Sequence, residues 1–119
     1  MVISVTGSRS ITDYEWFEIN LNKCIEEHGI SKFISGGAKG IDTFIKKYCT
    51  DNNIELEEIL PDWESFGRSA GIIRNKEIIE KADLNIIFWD GISKGSKFNI
   101  EYCRKNNKKY IVVLYDKNI

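Results

Sequence analysis

The segment Ser35-Gly36-Gly37-Ala38-Lys39-Gly40-Ile41-Asp42 has the residue types and spacing of an anion site. Glycines at this density let the backbone take positive φ and come close to a ligand. The apolar residues Ile41, Phe44, Ile45, Tyr48 and Cys49 recur at helical spacing, so a helix must open at the turn. Its first N–H groups and the positive end of its dipole would face the glycines and favour a phosphate. Lys39 adds a point charge there, and Asp42 stands where it could hold a ribose hydroxyl or a water. A plain tight connection from strand to helix would use the same glycines, so the rest of the chain has to decide.

Two other segments share this make-up, Thr6-Gly7-Ser8-Arg9 and Asp90-Gly91-Ile92-Ser93-Lys94-Gly95-Ser96. Each joins glycine to hydroxyl groups and a cation, the chemistry wanted around phosphate and ribose oxygens. Trp63 and Phe66, beside Arg68, could stack on a base, or could instead anchor their loop over the sheet edge. No cluster demands a metal, although Asp42 and Asp90 could hold magnesium together with a phosphate.

These loops have to be brought together by the elements between them. Short apolar strands are expected at Val2–Val5, Phe33–Ser35, Ile54–Leu60, Leu84–Trp89 and Tyr110–Tyr115. Helices are expected between them. The first starts near Thr12, with Glu15 completing a capping box, and stops at His28-Gly29; the others span 41–51, 70–81 and about 96–106. Strands apolar on both faces, alternating with helices, predict an α/β three-layer sandwich around a parallel sheet. In such sheets ligands bind outside the carboxyl ends of the strands, which is where all three loops fall. Residues 62–71 are expected to be the longest irregular stretch.

With 119 residues and 42% hydrophobic content, the chain suits a single domain spanning 1–119. A net charge of −1 and a pI near 5.9 argue against a protein that coats nucleic acid or an anionic membrane. Charge is uneven, with 6 Lys/Arg against 10 Asp/Glu in residues 1–60 and 11 against 8 in 61–119, so a local basic surface in the second half is compatible with the total. Cys24, Cys49 and Cys103 are odd in number and fall in helical stripes, which fits reduced buried thiols. No signal segment or membrane-length apolar run is present, so the expected setting is the cytoplasm, without a membrane partner. His28, alone near a helix end, is given no role.

Four blocks, in order, resemble the SLOG superfamily of Rossmann-like nucleotide-binding proteins, and within it the small, often phage or bacterial, YspA-like branch. They are Val5–Arg9, Ser35–Asp42, Gly71-Ile72-Ile73-Arg74-Asn75-Lys76 and Phe88–Ser96, which together extend over nearly the whole chain. The resemblance implies a five-stranded parallel sheet of order 3-2-1-4-5. It also implies a nucleotide or nucleotide-derived ligand across the first, second and fourth loops without naming it; the expected ligand is ADP-ribose-like or a mononucleotide, bound by a receptor, sink or processing protein. The implied ligand-binding set is Gly7, Ser8, Arg9, Ser35, Gly36, Gly37, Ala38, Lys39, Gly40, Asp42, Trp63, Arg74, Asn75, Asp90, Lys94, Gly95 and Ser96. Within it the Gly36–Gly40 and Gly95–Ser96 amides hold phosphate and Arg9 and Arg74 clamp it. Ser8, Ser35 and Ser96 bond phosphate or ribose oxygens, and Trp63 covers the base. Relatives assemble through apolar helix faces, so a homodimer or higher homo-oligomer is expected.

Two related families imply different activities. The Lonely Guy phosphoribohydrolases cleave nucleoside monophosphates with an arginine on the helix before the fourth strand and glutamates just after a GGxGT turn. Arg74 matches the arginine and Gly95-Ser96 the end of the turn. The glutamates, however, are replaced by Lys97, Phe98 and Asn99, and Glu101 falls on another helical face. Cleaving an N-glycosidic bond creates an oxocarbenium-like centre that wants a carboxylate, so turnover would fall to Arg74 with Asp42 or Asp90. DNA-processing protein A carries a similar Gly-Ser-Arg loop and a Ser-Gly-x-Ala-Arg-Gly-Ile-Asp motif close to Ser35–Asp42, which implies single-stranded DNA binding as a further alternative. The acidic pI and the scarcity of aromatics beyond Trp16, Trp63 and Phe66 weigh against it.

Overall fold

The computed structural model describes residues 1–115. Five strands, β1 (Val2–Gly7), β2 (Lys32–Ser35), β3 (Leu56–Glu58), β4 (Leu84–Trp89) and β5 (Tyr110–Leu114), form one parallel sheet in the order β3-β2-β1-β4-β5. Parallel neighbours require crossovers, supplied by α1 (Tyr14–Ile25), α2 (Ile41–Asn52), α4 (Ala70–Lys81) and α5 (Lys94–Lys105), with a one-turn α3 (Trp63–Phe66) ahead of α4. The chain travels outward from β1 to β3 and returns to place β4 on the other side of β1. The strand order therefore reverses between β1 and β4, and the loops after them part to leave a crevice.

Side-chain alternation makes the two faces of the sheet different. On one face Ile3 and Val5 of β1, Phe33 of β2 and Leu84, Ile86 and Phe88 of β4 pack against Phe17 and Leu21 of α1 and Ile41, Ile45 and Tyr48 of α2. Phe17 and Phe88 meet with ring centroids 4.8 Å apart, and burying each such ring contributes about 1.5–3 kcal/mol. The other face turns Ser4, Thr6 and Asn85 toward α4 and α5, whose buried residues include Ser96 and Asn99. Its apolar cluster centres on Ile79, Ile87 and Cys103. Ser4 Oγ donates to Asn85 Oδ1 at 2.5 Å, and Asn85 Nδ2 donates to the Lys109 carbonyl at 3.2 Å, so the polar pair is satisfied inside the sheet.

Several element ends differ from expectation for local reasons. The N-cap of α1 is Asp13, whose carboxylate accepts the Trp16 N–H at 3.1 Å, so Thr12 and Glu15 do not form the capping box, and the helix ends at Ile25 rather than His28. Strand β3 keeps three residues because it is an edge, paired with β2 at Phe33–Ser35 alone. The stretch read as irregular contains α3, capped by Asp62 on the Ser65 N–H, and a 3₁₀ turn at Gly67–Ser69. The thiols are free, with Cys49 and Cys103 buried and Cys24 half-buried, and burial pushes Cys49 and Cys103 up to about 11. No described helix is long and apolar enough to cross a membrane.

Candidate functional site

A cleft of about 370 Å³ lies at the carboxyl ends of β1, β2 and β4. Its walls are Thr6–Ser10 at the end of β1, Gly36, Ala38 and Asp42 at the β2–α2 turn, Arg74, Asn75 and Ile78 on α4, and Ser93, Gly95, Ser96 and Asn99 around the start of α5.

Two glycines bring these walls together. Gly40 caps α2 with φ of 77°, a left-handed conformation costly for other residues, and a side chain there would begin 2.9 Å from the Arg9 Cα. A Cβ on Gly36 would lie 2.5 Å from Arg74 Nη1, and the bare backbone instead lets that nitrogen donate to the Gly36 carbonyl at 2.7 Å. Arg74 Nε donates to Asn75 Oδ1 at 2.8 Å, so the guanidinium is held across the cleft wall. Burial lowers the Arg74 pKa, Asp42 opposes this and Arg9 adds to it; an arginine remains charged throughout.

The first and fourth loops are stitched by hydroxyls. Ser8 N–H donates to the Phe88 carbonyl at 2.9 Å, its Oγ accepts the Asp90 N–H at 3.1 Å, and that Oγ lies 3.4 Å from Ser96 Oγ. Asp90 accepts from Ile92 N–H at 2.9 Å, Ser93 N–H at 2.7 Å, Ser93 Oγ at 2.6 Å and Ser10 Oγ at 2.7 Å. Burial pushes its pKa up, but these donors, led by the Ser93 and Ser10 hydroxyls, outweigh burial and hold it well below the usual carboxylate range. Asp90 thus shapes the turn before α5, which starts at Lys94, two residues earlier than its periodicity suggests.

Asp42 is 8% exposed. Its Oδ2 accepts the Ala38 N–H at 3.0 Å, while Oδ1 is buried without a partner. Burial raises its pKa, and the Ala38 amide and the Arg74 charge oppose the rise. The two helix starts at the cleft therefore differ. The first turn of α2 carries its own carboxylate and that of α5 carries none, so α5 keeps the stronger pull on an anion.

The cleft brings together Gly7, Ser8, Arg9, Gly36, Ala38, Asp42, Arg74, Asn75, Gly95 and Ser96 of the expected set. Ser35, Gly37, Lys39, Gly40, Trp63, Asp90 and Lys94 are outside its lining. Ser35 is buried with its hydroxyl unpartnered, Lys39 points into solvent, and Trp63 is 58% exposed on α3. Thr6 and Ser93, which belong to the loops singled out in sequence but not to the expected binding set, also line the cleft, and the lining residues that sequence reading missed are Ser10, Ile78 and Asn99. Helical spacing could have found two of them, because Asn99 follows Ser96 by three and Ile78 follows Arg74 by four. Among the described residues no three His, Cys, Asp or Glu side chains gather as a metal site.

No curated protein and no solved structure is significantly similar to the chain. A model of the YspA, cpYpsA-related SLOG family matches residues 1–66, which hold β1 through α3 and two of the three cleft loops. Membership points to binding or processing of a nucleotide-related ligand in general. With its sheet order and its cleft at the strand ends, the chain belongs to the YspA, cpYpsA-related SLOG family.

Proposed function

We propose that the cleft binds a nucleotide or nucleotide-derived ligand by its phosphate, as a receptor, sink or processing protein in the cytoplasm. The observation that carries this reading is the charge of the cleft. Arg9 is close enough to add to the lowering of the Arg74 pKa, and Asp42 is the one carboxylate among the lining residues. An excess of positive charge beside the acid-free N-terminus of α5 favours an anion over a neutral or cationic ligand. Self-association is part of the proposal, supported by the exposed apolar side chains Leu60, Trp63, Phe66, Ile72 and Ile73 between β3 and the middle of α4.

Titration calorimetry with AMP and ADP-ribose tests the site. Arg9→Ala, whose side chain lies at the surface, should weaken binding by at least about tenfold, the value of a charge-assisted hydrogen bond. Unchanged affinity in this folded variant would remove the cleft from consideration.

Asp42 supports a second reading, N-glycosidic cleavage of a nucleoside monophosphate. It combines a place in the cleft wall with an uncommitted oxygen, as the carboxylate of such a reaction requires. Chromatography of AMP after incubation distinguishes the two, because a receptor returns AMP and a hydrolase releases adenine.

A further inference from the structure

We infer that the cleft recognises the phosphorylated sugar of its ligand, a ribose 5-phosphate unit, and leaves the base outside; this rests on the nucleotide reading above. A base is a flat ring that binding sites usually hold between apolar or aromatic surfaces. None of the lining side chains is aromatic, and Ala38 and Ile78 are the only apolar ones. The aromatics that a stacking site would need, Trp63 and Phe66, are 58% and 49% exposed and lie outside the lining.

What the cleft has in place of a base platform is unpaired acceptors. Asn99, 4% exposed, contributes Oδ1 from the α5 wall, and Asp42 contributes Oδ1 from the α2 wall; neither oxygen has a hydrogen-bond partner. The Asn99 amide has one long contact, 3.4 Å from Nδ2 to Thr6 Oγ1. A buried acceptor without a donor is unfavourable, so these atoms reward a ligand that carries donors. Sugar hydroxyls donate and an ionised phosphate does not. Both oxygens are closed to solvent, and they come within reach by rotation about the terminal torsion of each side chain, which is soft.

The cleft thus has two chemical ends. Arg9, Arg74 and the first turn of α5 suit the phosphate, while Asp42 and Asn99 suit vicinal hydroxyls. Its volume of about 370 Å³ is near the lower limit of small-ligand sites, enough for a sugar phosphate with the base projecting from the mouth.

Calorimetry of the intact protein with AMP, CMP, ribose 5-phosphate and 2′-deoxy-AMP tests this. AMP, CMP and ribose 5-phosphate should bind within about threefold of one another, and 2′-deoxy-AMP about tenfold more weakly, the worth of one hydrogen bond. Asn99→Leu and, separately, Asp42→Asn should narrow the gap between AMP and 2′-deoxy-AMP, the second variant guarding against misfolding of the first. If AMP binds while CMP and ribose 5-phosphate do not, the base is being read and the inference is overturned with the nucleotide reading intact. If no phosphorylated ligand binds, both fall together.

Discussion

The two faces of the sheet solve different problems. Against α1 and α2 the strands present Ile3, Val5, Phe33, Ile86 and Phe88, a continuous apolar layer of fully buried side chains. Against α4 and α5 the same strands present Ser4, Thr6 and Asn85, and α5 replies with Ser96 and Asn99. Hydrophobic burial is non-directional and tolerates approximate fit, whereas buried polar groups need specific partners. One face therefore supplies most of the stability, and the other spends buried area on polar groups, of which Thr6, Ser96 and Asn99 line the cleft.

Truncation on each face is the strongest way to break this comparison. Phe88→Ala should cost about 3–5 kcal/mol in chemical denaturation, and Ile79→Ala, in the smaller cluster, about 2 kcal/mol. Equal losses would mean that the faces share stability after all. Next in size, Ser4→Ala strands the Asn85 carboxamide oxygen and should cost about 1–3 kcal/mol. Adding Asn85→Leu should recover most of that loss, since removing both polar partners leaves nothing unpaired. A double variant no better than the single one would show that the polar pair is not the source of the cost.

The two aspartates of the cleft loops sharpen the contrast through pH. Asp42 has a raised folded pKa, so its contribution to stability is present in full below the ordinary carboxylate pKa and is lost as pH rises through the folded value. Asp42→Asn should flatten that decline and exceed the wild type in denaturation midpoint near neutrality. A steeper decline in the variant would reverse the assignment. Asp90 runs the other way. Its pKa is depressed, so its contribution holds above the ordinary carboxylate pKa and fades as pH falls toward the folded value. Asp90→Ala should cost about 1 kcal/mol at neutral pH, as loss of a hydrogen-bond acceptor in a turn does, and less in acid. A loss independent of pH would mean that packing of the turn matters and its charge does not.

The strand and helix pattern was readable because it depends on neighbours two to four residues away. Ile41, Ile45, Tyr48 and Cys49 mark α2, and Leu84–Trp89 marks β4, before any tertiary contact is considered. Cap placement was less readable, since Thr12 and Asp13 are both competent caps and backbone geometry selected Asp13. The site was legible at the level of loops and much less so at the level of roles. Asp42 and Asp90 look alike in sequence, yet Asp90 accepts from four donors and Asp42 retains an unpaired oxygen. In sequence Asn99 stands out only as a replacement for an expected glutamate and not as a lining residue, because a polar residue on a helix is usually read as solvent-facing.

The amino-acid sequence by itself determined the alternation of strands and helices, the parallel sheet that such alternation requires, and the glycine turns at the strand ends. Those follow from side-chain periodicity and backbone freedom, which act over short stretches of chain. Only the tertiary structure decided which turns meet, which acids are held by hydrogen-bond donors and which polar groups are buried unpaired. Those outcomes hang on contacts such as Ser8 with Asp90, 82 positions apart, and hydrogen-bond satisfaction over that separation is settled by the folded geometry alone.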